Sequence, residues 1–99
     1  MAQFDLYAGV GRTNAYVVDL QADLLDRLTT RIVAPLVPRT ETEIITGLTP
    51  VVEVNGAEFL ILTQELAAIP ARELRSRVAS LAAYQDAIKR ALDILFLGF

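Results

Sequence analysis

Polar and apolar residues alternate along Gln3-Phe4-Asp5-Leu6-Tyr7, which predicts a half-buried β-strand at the start of the chain. Ala8 to Asn14, with Gly9, Gly11 and Asn14, has the chemistry of a loop. The β-branched and aromatic run Ala15-Tyr16-Val17-Val18-Asp19-Leu20 predicts a second strand returning against the first. Gln21 to Leu28 is polar around Leu24-Leu25 and predicts a bend or a short helical turn. Arg31 to Val37 predicts a third strand, with Pro35 marking an edge, a bulge or the strand's end. A polar connection from Pro38 to Thr49 follows, anchored by Ile44-Ile45. Pro50 to Val54 and Ala57 to Leu62 flank Asn55-Gly56, the pair that most favours a tight hairpin, because such a turn needs positive φ at both central residues. Leu66 to Pro70 reads as a connector with apolar anchors.

Beyond Pro70 the period changes. Leu74, Val78 and Leu81, then Ile88, Leu92, Leu95 and Phe99, recur at helical spacings. A final helix is expected from about Leu81 or Tyr84 to Leu97, with Ser80 capping its start and Gly98 stopping it. Ile88, Leu92 and Leu95 form the stripe expected to face the core, whereas Phe96, Leu97 and Phe99 extend around the helix and cannot all share it. Ending on Phe-Leu-Gly-Phe, the chain is expected either to dock that end or to offer it to a partner. These elements make a small, mainly β domain: an antiparallel, barrel-like sheet with a C-terminal helix.

Ninety-nine residues suffice for one domain that buries roughly 60 to 70% of its unfolded surface, yet 54% of them are apolar. An oligomer interface is the simplest use for the excess. A net charge of −3 provides no broad cationic footprint for nucleic acid. Cysteine and histidine are both absent, which removes disulfides, thiolate chemistry and the usual general base and metal ligand. No basic-then-apolar leader and no stretch of about 20 apolar residues is visible, so a soluble, cytoplasmic protein without a membrane segment is expected.

Candidate chemistry is sparse. Arg12-Thr13 lies in the glycine-containing loop and reads first as a solvated hairpin; the alternative is a pair that stabilises a phosphate oxyanion, as a ribonuclease needs. Asp19, Asp23 and Asp26 lack a full cation-binding loop and read as capping and surface residues. Arg72, Arg75 and Arg77 form a basic cluster, read as a solvated face or as a contact for an acidic segment. No nucleophile–base pair emerges, no catalytic residue is assigned, and no metal or cofactor is called for.

A set of segments then falls in a familiar order. They are Gln3-Phe4 with Tyr7; Val18-Asp19-Leu20-Gln21 with Asp23-Leu24-Leu25-Asp26; and Arg31, Val33 and Pro35-Leu36. Pro50-Val51-Val52, Gly56, Leu66-Ala67 and Ile69-Pro70 continue it, and Ile88, Ala91, Leu95-Phe96 and Gly98 close it. The ordered set resembles the CcdB-type toxins, the killer half of bacterial toxin–antitoxin pairs, over essentially the whole chain. The resemblance implies one domain over residues 1–99, an SH3-like barrel of the CcdB/MazF toxin class with a long C-terminal helix, and an extended rather than helical course for 71–80. It also implies a homodimer that poisons DNA gyrase by setting its paired helix ends against the gyrase A subunit and trapping cleaved DNA. A CcdA-like antitoxin neutralises such toxins with an acidic, disordered segment that folds on binding. DNA is reached only through the toxin–antitoxin complex, in transcription repression and plasmid maintenance.

Carried onto this chain, the gyrase-binding residues are Leu95, Leu97, Gly98 and Phe99, and the antitoxin-binding residues are Leu24, Leu25, Phe96, Leu97, Arg12 and Thr13. Where the family ends in Trp-Gly-Ile after Met-Phe, this chain has Leu97-Gly98-Phe99 after Leu95-Phe96. Two alternatives stand beside the gyrase poison: a MazF-like endoribonuclease using Arg12 and Thr13, and a non-toxic relative that only binds its antitoxin.

Overall fold

The β-branched runs pair into one antiparallel sheet in the computed structural model of the protein, which describes residues 2–11 and 15–99. Its strands are β1 (Asp5–Val10), β2 (Ala15–Asp19), β3 (Thr30–Pro38), β4 (Val51–Val54), β5 (Ala57–Ile61), β6 (Ala67–Pro70) and β7 (Ser76–Ser80), followed by helix α1 (Gln85–Leu97). The order across the sheet is β4-β5-β3-β2-β1-β7, and β6 lies beside β3. The result is a half-barrel with a C-terminal helix, as the polarity pattern predicts.

Asn55 (φ 51°) and Gly56 (φ 82°) both adopt the left-handed conformation that their hairpin turn demands. The nine-residue β3 organises the sheet. One edge pairs with β2, while the other pairs with β6 over Thr30–Val33 and with β5 over Leu36–Pro38. Pro35 sits where that second edge changes neighbour. Its carbonyl accepts from the Leu62 N–H at 2.9 Å, so its missing N–H falls in the gap between the two partners. The proline is a junction inside a strand, neither an edge nor an end.

Both faces of the central strands are covered. The larger cluster gathers Phe4, Leu6, Val18, Leu20, Ala34, Leu36, Val52, Val54, Ile61, Leu81 and Ile88. The smaller one holds Tyr7, Val10, Val17, Val33 and Leu74, with Ile69 against it. Alternation therefore misjudges the first strand: Phe4, Asp5, Leu6 and Tyr7 are all buried. The strand also starts later than the alternation indicates, because Phe4 has φ 71°. Its N–H donates to the Asp19 carbonyl and its carbonyl accepts from the Leu81 N–H, each at 2.7 Å.

Two further expectations change with tertiary pairing. Leu66–Pro70 is mostly strand rather than connector, since Ala67–Pro70 pairs with Thr30–Val33. The helical spacing of Leu74 and Val78 is fortuitous: Leu74 plugs the smaller core, and Val78 is exposed on β7, which pairs with β1. Ser80 does act at the helix entrance, accepting the Ala82 N–H at 3.2 Å just before a 3-10 turn that leads into α1. Tyr84 fastens this entrance to the sheet, its hydroxyl accepting the Glu53 N–H at 3.1 Å. Helix α1 buries Ile88 and Ala91, and Leu92 packs at the margin of the larger cluster. Leu95 is only half-buried, so the core stripe is shorter than its spacing suggests. The Ile44 and Ile45 side chains are exposed and do not anchor their loop; buried Thr49 fastens it through the Ile45 backbone, its Oγ1 accepting the Ile45 N–H at 2.9 Å, and Gly47 lets the loop approach α1, where a Cβ would lie 2.7 Å from Ile94 Cδ1.

Candidate functional site

The site begins where α1 runs past the sheet. After Ala91 the helix has nothing left to bury fully, and Phe96 (66%), Leu97 (62%) and Phe99 (84%) are exposed. Gly98 closes the helix in a left-handed conformation (φ 80°), its N–H shared by the carbonyls of Asp93 at 3.1 Å and Ile94 at 3.0 Å. That cap ends the helix after Leu97 and turns the chain before Phe99.

A second exposed apolar element lies beside the first. Leu24 (83% exposed), Leu25 and Leu28 project from the 3-10 turn Asp23–Leu25 and the residues after it. Leu25 and Phe96 line one groove of about 340 Å³ together with Leu20, Ile32, Leu66 and Leu92. No titratable side chain lines it. A groove of this make can bury carbon but has nothing with which to move a proton.

The leucine turn is held by side chains. Gln21 is buried; its N–H donates to Asp19 Oδ1 at 3.0 Å, its Oε1 accepts the Ile32 N–H at 3.2 Å, and its Nε2 donates to the Leu25 carbonyl at 2.9 Å. From the opposite side, Asp23 Oδ1 accepts the Gln3 N–H at 2.7 Å, and Gln3 Nε2 donates to the Leu20 carbonyl at 3.0 Å. The groove's polar supports are thus Gln21 and Gln3, which the polarity pattern does not single out. The signal for both was their place in the ordered set of segments that carries the family resemblance, Gln3-Phe4 and Val18-Asp19-Leu20-Gln21.

Behind Gln21 lies a buried ion pair. Asp19 and Arg31 are 0% and 1% exposed, and the Arg31 guanidinium donates to Asp19 Oδ2 through Nε at 3.1 Å and through Nη2. Asp19 is therefore not a surface carboxylate, which corrects the expectation from its spacing with Asp23 and Asp26. Tyr7 is buried close by. Burial, and then the negative charges of Asp5 and Asp19, raise its pKa against the opposing pull of Arg31 and Arg77.

Among the anticipated site residues, the structure brings Leu25 and Phe96 together around the groove and leaves Leu24, Leu97, Gly98 and Phe99 exposed beside it. Leu95 is half-buried. Arg12 and Thr13 lie outside the described residues. Among the described residues, no three His, Cys, Asp or Glu side chains come together as a metal site, and no helix is long and apolar enough to cross a membrane.

A half-barrel whose most exposed large apolar side chains, Leu24, Phe96, Leu97 and Phe99, lie on one turn and one helix end defines a barrel-plus-helix protein with exposed apolar surface. The family described as CcdB protein matches residues 3–98. The chain belongs to the CcdB family, the toxins of toxin–antitoxin pairs.

Proposed function

We propose that this protein is a non-enzymatic toxin that poisons DNA gyrase. It acts as a homodimer that sets two helix ends against the gyrase A subunit and holds the enzyme on cleaved DNA. Leu95, Leu97, Gly98 and Phe99 make the contact, and a CcdA-like antitoxin covers an overlapping surface that includes Leu24, Leu25, Phe96 and Leu97. Arg12 and Thr13 join the antitoxin contact in this reading. The observation that carries it is the joint exposure of Phe96, Leu97 and Phe99 at the groove that Phe96 shares with Leu25. Large apolar side chains grouped in this way mark an interaction surface, because each gains from leaving water only when a partner arrives.

Leu97 tunes the strength of the contact. A tryptophan at the centre of an interface commonly contributes about 2 kcal/mol or more, and leucine offers less surface and no indole N–H. Phe99 supplies an aromatic ring two residues further on. The test is a supercoiling and cleavage assay with purified gyrase. The expected result is a trapped cleavage complex that Leu97→Asp abolishes while the variant stays folded. Absence of the complex at micromolar concentrations of folded toxin would overturn the proposal. The replacement of tryptophan by Leu97 also favours a second reading, a relative that has lost toxicity and only binds its antitoxin. Expression in bacteria lacking the antitoxin separates the two, since only the poison arrests growth.

A further inference from the structure

Past Ala91 the helix α1 is supported from two sides. Leu92, Ile94 and Leu95 stay half-buried there. Leu92 lines the groove that it shares with Phe96. Ile94, two positions on, points about 200° away around a helix of roughly 3.6 residues per turn. On that side it meets the connection between β3 and β4, where a Cβ on Gly47 would stand 2.7 Å from Ile94 Cδ1. Ala87 and Arg90, which share a helix face with Ile94, border the same connection across a cleft of about 290 Å³.

The connection is tied up by its own bonds where Ile94 meets it. The Ile45 carbonyl accepts the N–H groups of Leu48 at 2.9 Å and Thr49 at 3.1 Å, while Thr49 Oγ1 accepts the Ile45 N–H at 2.9 Å. These bonds close a turn around Gly47 without help from α1. The next residue, Pro50, fastens the turn to the sheet, its carbonyl accepting the Ile61 N–H at 3.0 Å. On the helix side, the Ile94 carbonyl is one of the two that hold the Gly98 N–H. Contacts therefore run unbroken from β5, through the turn and Ile94, to the cap that precedes Phe99.

We infer that the Ile45–Thr49 turn sets the pose of the helix end, with Gly47 and Ile94 as positioning residues for the gyrase contact. The seat of Ile94 on Gly47 fixes how the last turn of α1 presents Leu97 and Phe99. A helix end packed on one side only can pivot about that side; support at Leu92 and again at Ile94 leaves it a single close-packed arrangement. Neither Gly47 nor Ile94 belongs to the contact set itself, so both act through the capped turn. The inference rests on the proposed function only for what the helix end meets.

The experiment combines backbone NMR relaxation with binding of the full chain to purified gyrase A subunit. Gly98 of the wild type should show a rigid order parameter of about 0.85. Ile94→Ala empties the seat, and Gly47→Ala drives Ile94 Cδ1 out of it. Each should lower the Gly98 value to below about 0.6 and weaken binding about tenfold. Combining Gly47→Ala with Ile94→Val moves one carbon across the contact and refills it. That double variant should regain order and affinity while remaining less stable than wild type, because alanine resists the φ of +80° at position 47. Affinity that simply follows stability through all three variants would overturn the inference, as would a mobile wild-type Gly98. So would an unchanged Gly98 in Ile94→Ala, the variant that decides alone where Gly47→Ala does not fold. A folded wild type that does not bind gyrase sinks the gyrase reading and leaves the order parameters to decide this one.

Discussion

Asp19 and Arg31 lie in the interior, whereas Leu24, Phe96, Leu97 and Phe99 lie in water. The two regions invert the ordinary placement of charge and carbon, and for different reasons. The ion pair sits where β2 and β3 are covered on both faces, and every polar atom it brings inside needs a partner that only one register of the strands supplies. The leucines and phenylalanines lie where helix and turn outrun the core, so folding leaves them exposed. One inversion belongs to the fold, and the other is the surface on which the proposed function rests. Gln21 connects them, holding Asp19 through its backbone and Leu25 through its side chain.

The sharpest way to break this contrast is to remove one buried charge. Arg31→Met strands Asp19 in the interior and should lower stability by about 3–5 kcal/mol in a urea titration. Adding Asp19→Leu should recover most of that loss, since an apolar pair of similar volume carries no stranded charge. Recovery that fails would mean that the pair, beyond being satisfied, specifies the packing. The second effect belongs to the exposed region. Leu97→Trp should tighten binding to the gyrase A subunit by about 2 kcal/mol, read by calorimetry, and shift stability by no more than about 0.5 kcal/mol.

Gln21 tests the link between the two regions. Gln21→Ala leaves the Ile32 N–H and the Leu25 carbonyl without their side-chain partners and should lower stability by about 1–3 kcal/mol. It should also increase hydrogen exchange across residues 22–28 more than in the helix. Uniform loss of protection would dismiss a local latch. The smallest effect is alkaline. Because the folded pKa of Tyr7 is raised, the native state keeps this proton after the unfolded chain has begun to lose it near the ordinary value of 10.0. Its contribution is whole below that pH and is lost as pH rises toward the folded value. Tyr7→Phe should therefore flatten the decline of melting temperature above pH 10.0 relative to wild type.

Much of the architecture was legible because its signals are local. Asn55-Gly56 and Gly98 occupy positive-φ positions that few residues tolerate, and Ala15–Asp19, Arg31–Val37 and Ala57–Ile61 carry the side chains that suit a sheet. The apolar, many-sided helix end was legible for the same reason, since no single helix face can hold Phe96, Leu97 and Phe99 together, while its exposure rather than docking was left open.

What stayed hidden depends on partners far along the chain. Ala67–Pro70 has weak strand character and becomes a strand because Arg31 and Ile69 meet in register. β7, with two serines and an arginine in five residues, shows no alternation and is held by β1. Asp19 looks like its neighbours Asp23 and Asp26, and only the fold of β3 brings Arg31 to it. Residue chemistry alone determined the turns, the main strands, the helix stop and the presence of an apolar end. Tertiary structure decided which charges are buried, which short segments join the sheet and which leucines share a groove with Phe96, because each of these depends on contacts between distant residues that local periodicity does not encode.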